Sequence, residues 1–377
     1  MRRYVLLVGL VLMGLDGTAR AEPYFAQREG YRCSKCHFNR TGGGMRTAFG
    51  RQWAWTHLTL SSSEPAASDV YAELDQLDQR TWWAIDPAVN QHLSFGADIR
   101  VNNVTIFPGE DNEDAEIQNT FANPESNLYV ALEALDFLAA YFDVSFAEGN
   151  VQAREAFLLL HGHGFSFKGG ILLPPFGLRI WGEDQFIRSV TGFNYASPDL
   201  GIELGYEYKG LGMFVAVTNG AGGGLDPDRD KKVSSIVEYA GRWWRLGGSV
   251  SFNRTETTEN FFYGGFAGLT LGRLTLLGEV DRLRTTFREE DESIDSIVGF
   301  AEADFLVRRG LNIKVIYGYH DPDIDVDENE RFNIRSGVEV FIVPMLVGRV
   351  FYDLRESVPQ DEVGNADILL VELHVYM

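Results

Sequence analysis

The run Leu311-Asn312-Ile313-Lys314-Val315-Ile316-Tyr317-Gly318-Tyr319 carries its apolar residues with a period of two. Leu311, Ile313, Val315, Tyr317 and Tyr319 fall on one face of an extended chain, and Asn312, Lys314 and Gly318 fall on the other. That is the signature of a strand with one apolar and one polar side. The next segment repeats it, with Phe332, Ile334, Val338 and Val340 alternating with Arg331, Asn333, Arg335 and Glu339. Sixteen such strands can be drawn from residue 91 to the C-terminus, from 91–107 and 126–135 to 346–355 and 366–377. Each is close to the roughly 9–11 residues that a tilted strand needs to cross a bilayer.

Connection lengths agree with this reading. Tight turns are expected at Asp136, Gly162-His163, Lys209-Gly210, Arg242, Gly272, Arg308-Arg309 and Pro344-Met345, and long loops at 108–125, 173–198, 219–231, 285–293, 321–330 and 356–365. Outer-membrane barrels have short periplasmic turns and long outer loops. The expectation is a mainly β chain, with an antiparallel transmembrane barrel of about sixteen strands over 91–377 and both barrel ends on the periplasmic side. Glu203, Glu207, Glu279, Asp281, Glu302, Asp304, Arg349 and Asp353 are expected to face a wet lumen. The final strand keeps the alternation through Val371, Leu373, Val375 and Met377, with Tyr376 one place short of the terminal aromatic usual in such barrels. A soluble β-sandwich also shows period two, but not sixteen regularly spaced strands with aromatic ends.

The formal net charge is -21. With no basic patch to neutralise phosphates, nucleic acid is excluded as a partner. The acidity concentrates in three expected outer loops, at Glu110, Asp111, Glu113, Asp114 and Glu116, at Glu289 to Glu292, and at Asp321 to Glu330. Such a rim raises the local concentration of cations without constituting a ligand set. Asp321 to Asp327 lacks the glycine and spacing of an EF-hand loop.

Residues 1–21 have the parts of a signal peptide. Arg2 and Arg3 precede an apolar stretch from Tyr4 to Leu15, and Ala19-Arg20-Ala21 is a cleavage site that sets Glu22 as the expected first mature residue. Shortly after it comes Cys33-Ser34-Lys35-Cys36-His37, which contains the only two cysteines of the chain. C-x-x-C-H is the attachment sequence for c-type haem, with Cys33 and Cys36 as the thioether residues and His37 as proximal ligand to the iron. A disulfide or redox pair is the competing reading of the same cysteines in an exported protein.

Residues 22–60 read as a small monohaem domain. Pro23, Phe25-Ala26, Gly30, the Cys33 to His37 site and Phe49-Gly50-Arg51 together resemble the N-terminal segment of the fused monohaem cytochrome–porins of neutrophilic iron-oxidising bacteria and their relatives. The resemblance covers about forty residues, a length that rarely forms a core without a covalent or metal staple. It implies one covalent haem c on a plug set into or against a sixteen-stranded pore. Phe25, Tyr31, Phe38, Phe49, Trp53 and Trp55 would pack around the haem, and Gly42-Gly43-Gly44 would allow a tight backbone turn.

The sixth iron ligand stays open between His57, Met45 and no side chain at all. His161 and His163 flank an expected periplasmic turn. Ser61 to Ser68 reads as a flexible linker, and Asp69 to Ile85 as a short amphipathic helix, together joining plug to barrel over 61–90. The resulting expectation is an outer-membrane electron conduit, an Fe(II)-oxidising oxidoreductase that takes electrons from extracellular Fe(II) and passes them to a periplasmic carrier such as a soluble cytochrome c. The alternatives are a haem-plugged porin for solutes or ions, and outward electron transfer to an extracellular acceptor.

Overall fold

The computed structural model describes residues 22–60, 88–90, 92–109, 116–147, 150–180, 182, 184–224, 226, 228–343, 345–358, 361 and 364–376. The expected leader, the linker and helix over 61–87, and Glu110, Asp111, Glu113 and Asp114 lie outside the described residues.

A three-residue strand, β1 (Ala88–Asn90), pairs with the start of the barrel. The barrel strands are β2 (Leu93–Phe107), β3 (Gln118–Leu135), β4 (Leu138–Ser145), β5 (Gln152–Gly162), β6 (Phe165–Leu172), β7 (Asp199–Tyr208), β8 (Leu211–Thr218) and β9 (Lys232–Ala240). They continue as β10 (Trp244–Arg254), β11 (Thr258–Leu271), β12 (Leu274–Phe287), β13 (Glu292–Arg308), β14 (Leu311–Asp321), β15 (Arg331–Val343), β16 (Leu346–Glu356) and β17 (Asp367–Tyr376). Each pairs antiparallel with its neighbour in sequence, and β17 pairs with β2, Val371 opposite Asn103. Sixteen strands therefore close into a barrel. Closure leaves no ladder unpaired, which lets a sheet stand in hydrocarbon.

Alternation sets the two faces. On β14, Ile313, Val315 and Tyr317 point out while Asn312, Lys314 and Ile316 are buried inside. The outer surface is a continuous apolar band, including Leu204, Val280, Val315 and Leu373. Phe137, Phe165, Tyr208, Trp243, Trp244 and Phe305 are exposed at the end where the connections are short. An apolar belt edged by aromatic rings is the surface a bilayer requires.

Three strand ends differ most from expectation. β12 and β13 run past the expected loop 285–293 and leave a turn of 288–291, and β3 starts earlier, at Gln118. Cross-strand pairs such as Thr285 with Ile294 extend these hairpins beyond the apolar belt.

The lumen is the larger correction. The inward charges are there, but Glu203, Glu279, Asp281, Glu302, Asp304, Arg349 and Asp353 are all buried, as are inward Phe214, Phe266, Phe300 and Phe351. The interior is filled rather than wet, because two segments fold into it. One is residues 22–60, with helices α1 (Pro23–Glu29), α2 (Cys33–Cys36) and α3 (Ala48–His57). The other is the connection 173–198, which carries the short helix α4 (Phe186–Ser189) and turns inward instead of outward. Its Leu178, Ile180 and Ile187 pack with Val298, Phe300 and Ile316 of the wall. Burying such side chains is worth roughly 1.5–3 kcal/mol each, which offsets part of the cost of ordering a long loop.

Candidate functional site

Cys33 and Cys36 occupy one helical turn, so both side chains lie on the same side of α2. The turn closes through His37 N–H donating to Cys33 O at 3.0 Å. Both cysteines are free thiols. Burial pushes the Cys33 thiol up against the pull of Arg245, and the Cys36 thiol up to about 11. Reactive dithiols of the thioredoxin type depend on a depressed thiol pKa, and burial here acts in the opposite direction.

His37 leaves the helix in extended conformation and bridges antiparallel to Arg46. Its Nδ1 lies 3.3 Å from Gly44 O. A carbonyl only accepts, so this bond requires the Nδ1–H tautomer and leaves the Nε2 lone pair available. Burial, with Arg46 nearby, lowers the imidazole to about 4, so it is neutral at neutral pH. Gly42, Gly43 and Gly44 all have positive φ, at 104°, 85° and 64°, and form the turn that carries Gly44 back to His37. A side chain at Gly43 would run into Tyr195, and one at Gly44 into Tyr141.

The barrel wall holds this segment by charge. Glu207, near the end of β7, accepts from Arg40 Nε at 2.6 Å and from Ser34 Oγ, and pairs with Arg32 at 3.3 Å. Arg32 also donates to Leu211 O at 2.9 Å, and Arg245 donates to Tyr31 O at 2.6 Å. Asn39 donates to Glu155 at 2.7 Å and accepts from Lys168 at 3.0 Å. Farther in, Glu22 sits between Lys314 at 3.0 Å and Arg349 at 2.7 Å, and the Tyr24 hydroxyl donates to Glu339. Charged groups of wall and plug thus pair in both directions, and removing one member of such a buried pair costs about 3–5 kcal/mol. Glu207 was legible as an inward charge, but its role as a clamp depends on residues some 170 positions away and has no signal in the sequence.

The remaining expected site residues are not equivalent. Met45 is adjacent to the motif through Phe38 N–H donating to Met45 O at 3.1 Å, and its side chain is buried against Tyr129, Tyr141 and Phe157 of the wall. His57 lies at the far end of α3. Gly50, which abuts Cys36, is seven residues earlier, so His57 is roughly 10 Å farther along the helix axis. Its exposed ring stacks on Trp53, with centroids 5.4 Å apart, and Nδ1 is 3.1 Å from Trp53 O. The structure does not bring His57 to His37. His161 is the penultimate residue of β5, and His163 is exposed in the following turn.

The expected aromatic shell is partly mutual packing: Phe25 contacts Tyr24, Trp53 and Phe341, and Tyr31 meets Phe49 edge-on at 5.6 Å. The plug reaches the short-turn end of the barrel, where Leu60 N–H donates to Phe341 O at 3.1 Å and Gly30 lies against Arg242.

No family model and no curated protein matches the chain. Solved structures do. The trimeric form of OmpT, an outer membrane protein of Vibrio cholerae, superposes with a TM-score of 0.60 at 13% identity, covering 76% of this chain and 99% of OmpT. An anion-selective porin from Comamonas acidovorans gives 0.57 at 10% identity, over 76% and 99% of the two chains. The outer membrane channel DcaP of Acinetobacter baumannii gives 0.52 at 10% identity, over 76% and 97%. The barrel has the porin fold. At these identities the likeness is one of architecture, and it carries nothing about the segment in the lumen.

Proposed function

We propose that this chain is an outer-membrane protein of the porin fold whose N-terminal segment carries a covalent c-type haem, and that it moves single electrons between the outside and a periplasmic carrier such as a soluble cytochrome c. The observation that supports this reading is the Cys33–Cys36–His37 arrangement on a segment clamped inside a membrane barrel. Its residues fit the group: two free thiols on one face of a turn for two thioethers, beside a neutral imidazole whose Nδ1 is already held by Gly44 O. When bound, the haem supplies reversible one-electron chemistry, and the chain supplies its orientation and surroundings. Glu207 and Arg245 fix α2 against the wall, and Gly44 O fixes the His37 ring. The buried plug and the 173–198 loop shield the interior from bulk water.

The exposed acidic residues at the long-loop end, among them Asp325, Asp327, Glu328 and Glu330, favour a cationic donor such as extracellular Fe(II). The direction of flow depends on the sixth ligand, for which Met45 has the nearer backbone position and His57 the exposed ring.

Pyridine haemochromogen spectra and haem staining of the denatured chain test the attachment. Cys33→Ser or Cys36→Ser should lose nearly all covalent haem, and full staining of both variants would refute it. Anaerobic mixing of Fe(II) with the oxidised protein should develop the reduced α-band, whereas reduction by dithionite alone would point to outward electron flow.

A second reading is favoured by the fold itself, since the neighbours include a channel and a porin by their own descriptions. In that reading the barrel passes solutes or ions around a luminal plug, and planar-bilayer conductance that changes with plug state is its signature.

A further inference from the structure

We infer that the cavity at the long-loop end of the barrel, beneath Lys232, is a binding site for a small hydroxylated organic anion. The cavity has a volume of about 250 Å³ and lies between the inward loop 173–198, the β8–β9 connection and the inner faces of β10 and β11. That volume suits a small molecule and excludes a macromolecule.

Lys232 is the only cationic side chain lining it among the described residues. The ammonium rests 4.0 Å from the centroid of the Phe193 ring and makes no salt bridge among the described residues. An ammonium seated on a ring with no carboxylate bound to it keeps donors for a ligand. Asp199 is the only lining carboxylate among the described residues, and it is already occupied. Its Oδ1 accepts from Leu200 N–H at 2.9 Å, and its Oδ2 from Gly220 N–H at 2.6 Å. With both Asp199 oxygens turned to backbone amides, the Lys232 ammonium is the lining cation whose donors remain for a ligand.

The rest of the lining is neutral and polar. Ser251, Asn253 and Asn260 supply hydroxyl and amide groups, and Phe262 supplies an apolar side. Asn260 Oδ1 accepts from Thr285, which turns its amide donors away from that bond and leaves them for another acceptor. One cation with free donors, beside neutral polar groups and a carboxylate held by backbone amides, matches one carboxylate followed by hydroxyl groups, and matches neither a divalent metal nor a polyphosphate. The inference does not rest on the haem reading, because none of these residues belongs to segment 22–60.

Calorimetric titration of the detergent-solubilised full-length protein with gluconate, and with sorbitol as its near-isosteric neutral counterpart, tests the site. Gluconate should bind at least about tenfold more tightly than sorbitol, a difference of roughly 1.4 kcal/mol. Lys232→Gln should remove at least about tenfold of that affinity, and Lys232→Arg should retain it within a few-fold. Absence of gluconate binding, equal binding of the two probes, or unchanged binding by Lys232→Gln would overturn the inference. If Lys232→Gln fails the heat-shift assay for a folded barrel, Asn253→Ala decides instead. Weakened gluconate binding there supports the site, and unchanged binding refutes it.

Discussion

Glu22 shows how single residues tie the plug to the wall. Burial and the neighbouring Glu339 push its carboxyl up to about 7, against the pull of Lys314 and Arg349. An unfolded glutamate titrates near 4.5, so folding takes up a proton between these two values. The folded state is therefore favoured at low pH, and stability falls as pH rises from about 4.5 through about 7. The temperature at which the folded barrel converts on heating should drop over that interval, and Glu22→Gln should flatten the slope. An unchanged slope in the variant would place the titration elsewhere. At this scale the sequence was legible where chemistry is local, as in Cys33, Cys36 and His37. It was silent where the partner is distant, as for Ser34, Arg32 and Arg40 converging on Glu207.

Among the elements, the 173–198 connection matters most for what the lumen can pass. Its length was legible from the two flanking strands, but its direction was not. It turns inward because Leu178, Ile180 and Ile187 meet inward apolar residues, and because Leu178 N–H donates to Glu279 at 2.8 Å while Arg188 pairs with the same carboxylate. Arg335 adds a bond to Asp184 at 3.1 Å. Arg188→Leu should leave Glu279 without its cationic partner and loosen the loop. Single-channel conductance in planar bilayers should then rise severalfold over the parent protein, and an equal conductance would mean that the plug alone sets the resistance. One signal was available in the sequence. Phe214, Phe266, Phe300 and Phe351 occupy inward strand positions, where an aqueous channel has no use for large apolar groups.

The whole molecule is an acidic barrel with its charge divided between two settings. Inside, carboxylates are buried and most are paired with cations; at the long-loop end, those of 289–292 and of 324–330 are exposed. Only the exposed set projects a field into solution, screened over about 8 Å at physiological salt. Converting Asp323, Asp325 and Asp327 to Asn should slow the reaction with Fe(II) about two- to tenfold at low ionic strength and little at high salt. A rate independent of these charges would leave the loop as ordinary solvated surface. By itself the sequence determined the barrel, its sixteen strands, its short-turn end and the cysteine–histidine motif, because strand alternation and motif spacing are local and repeat along the chain. Tertiary structure alone decided that the lumen is filled, that loop 173–198 turns inward, that His57 stands apart from His37 and that Lys232 faces a cavity. Each of those depends on which distant side chains a closed barrel brings together, and inward alternation is the same whether the interior holds water or protein.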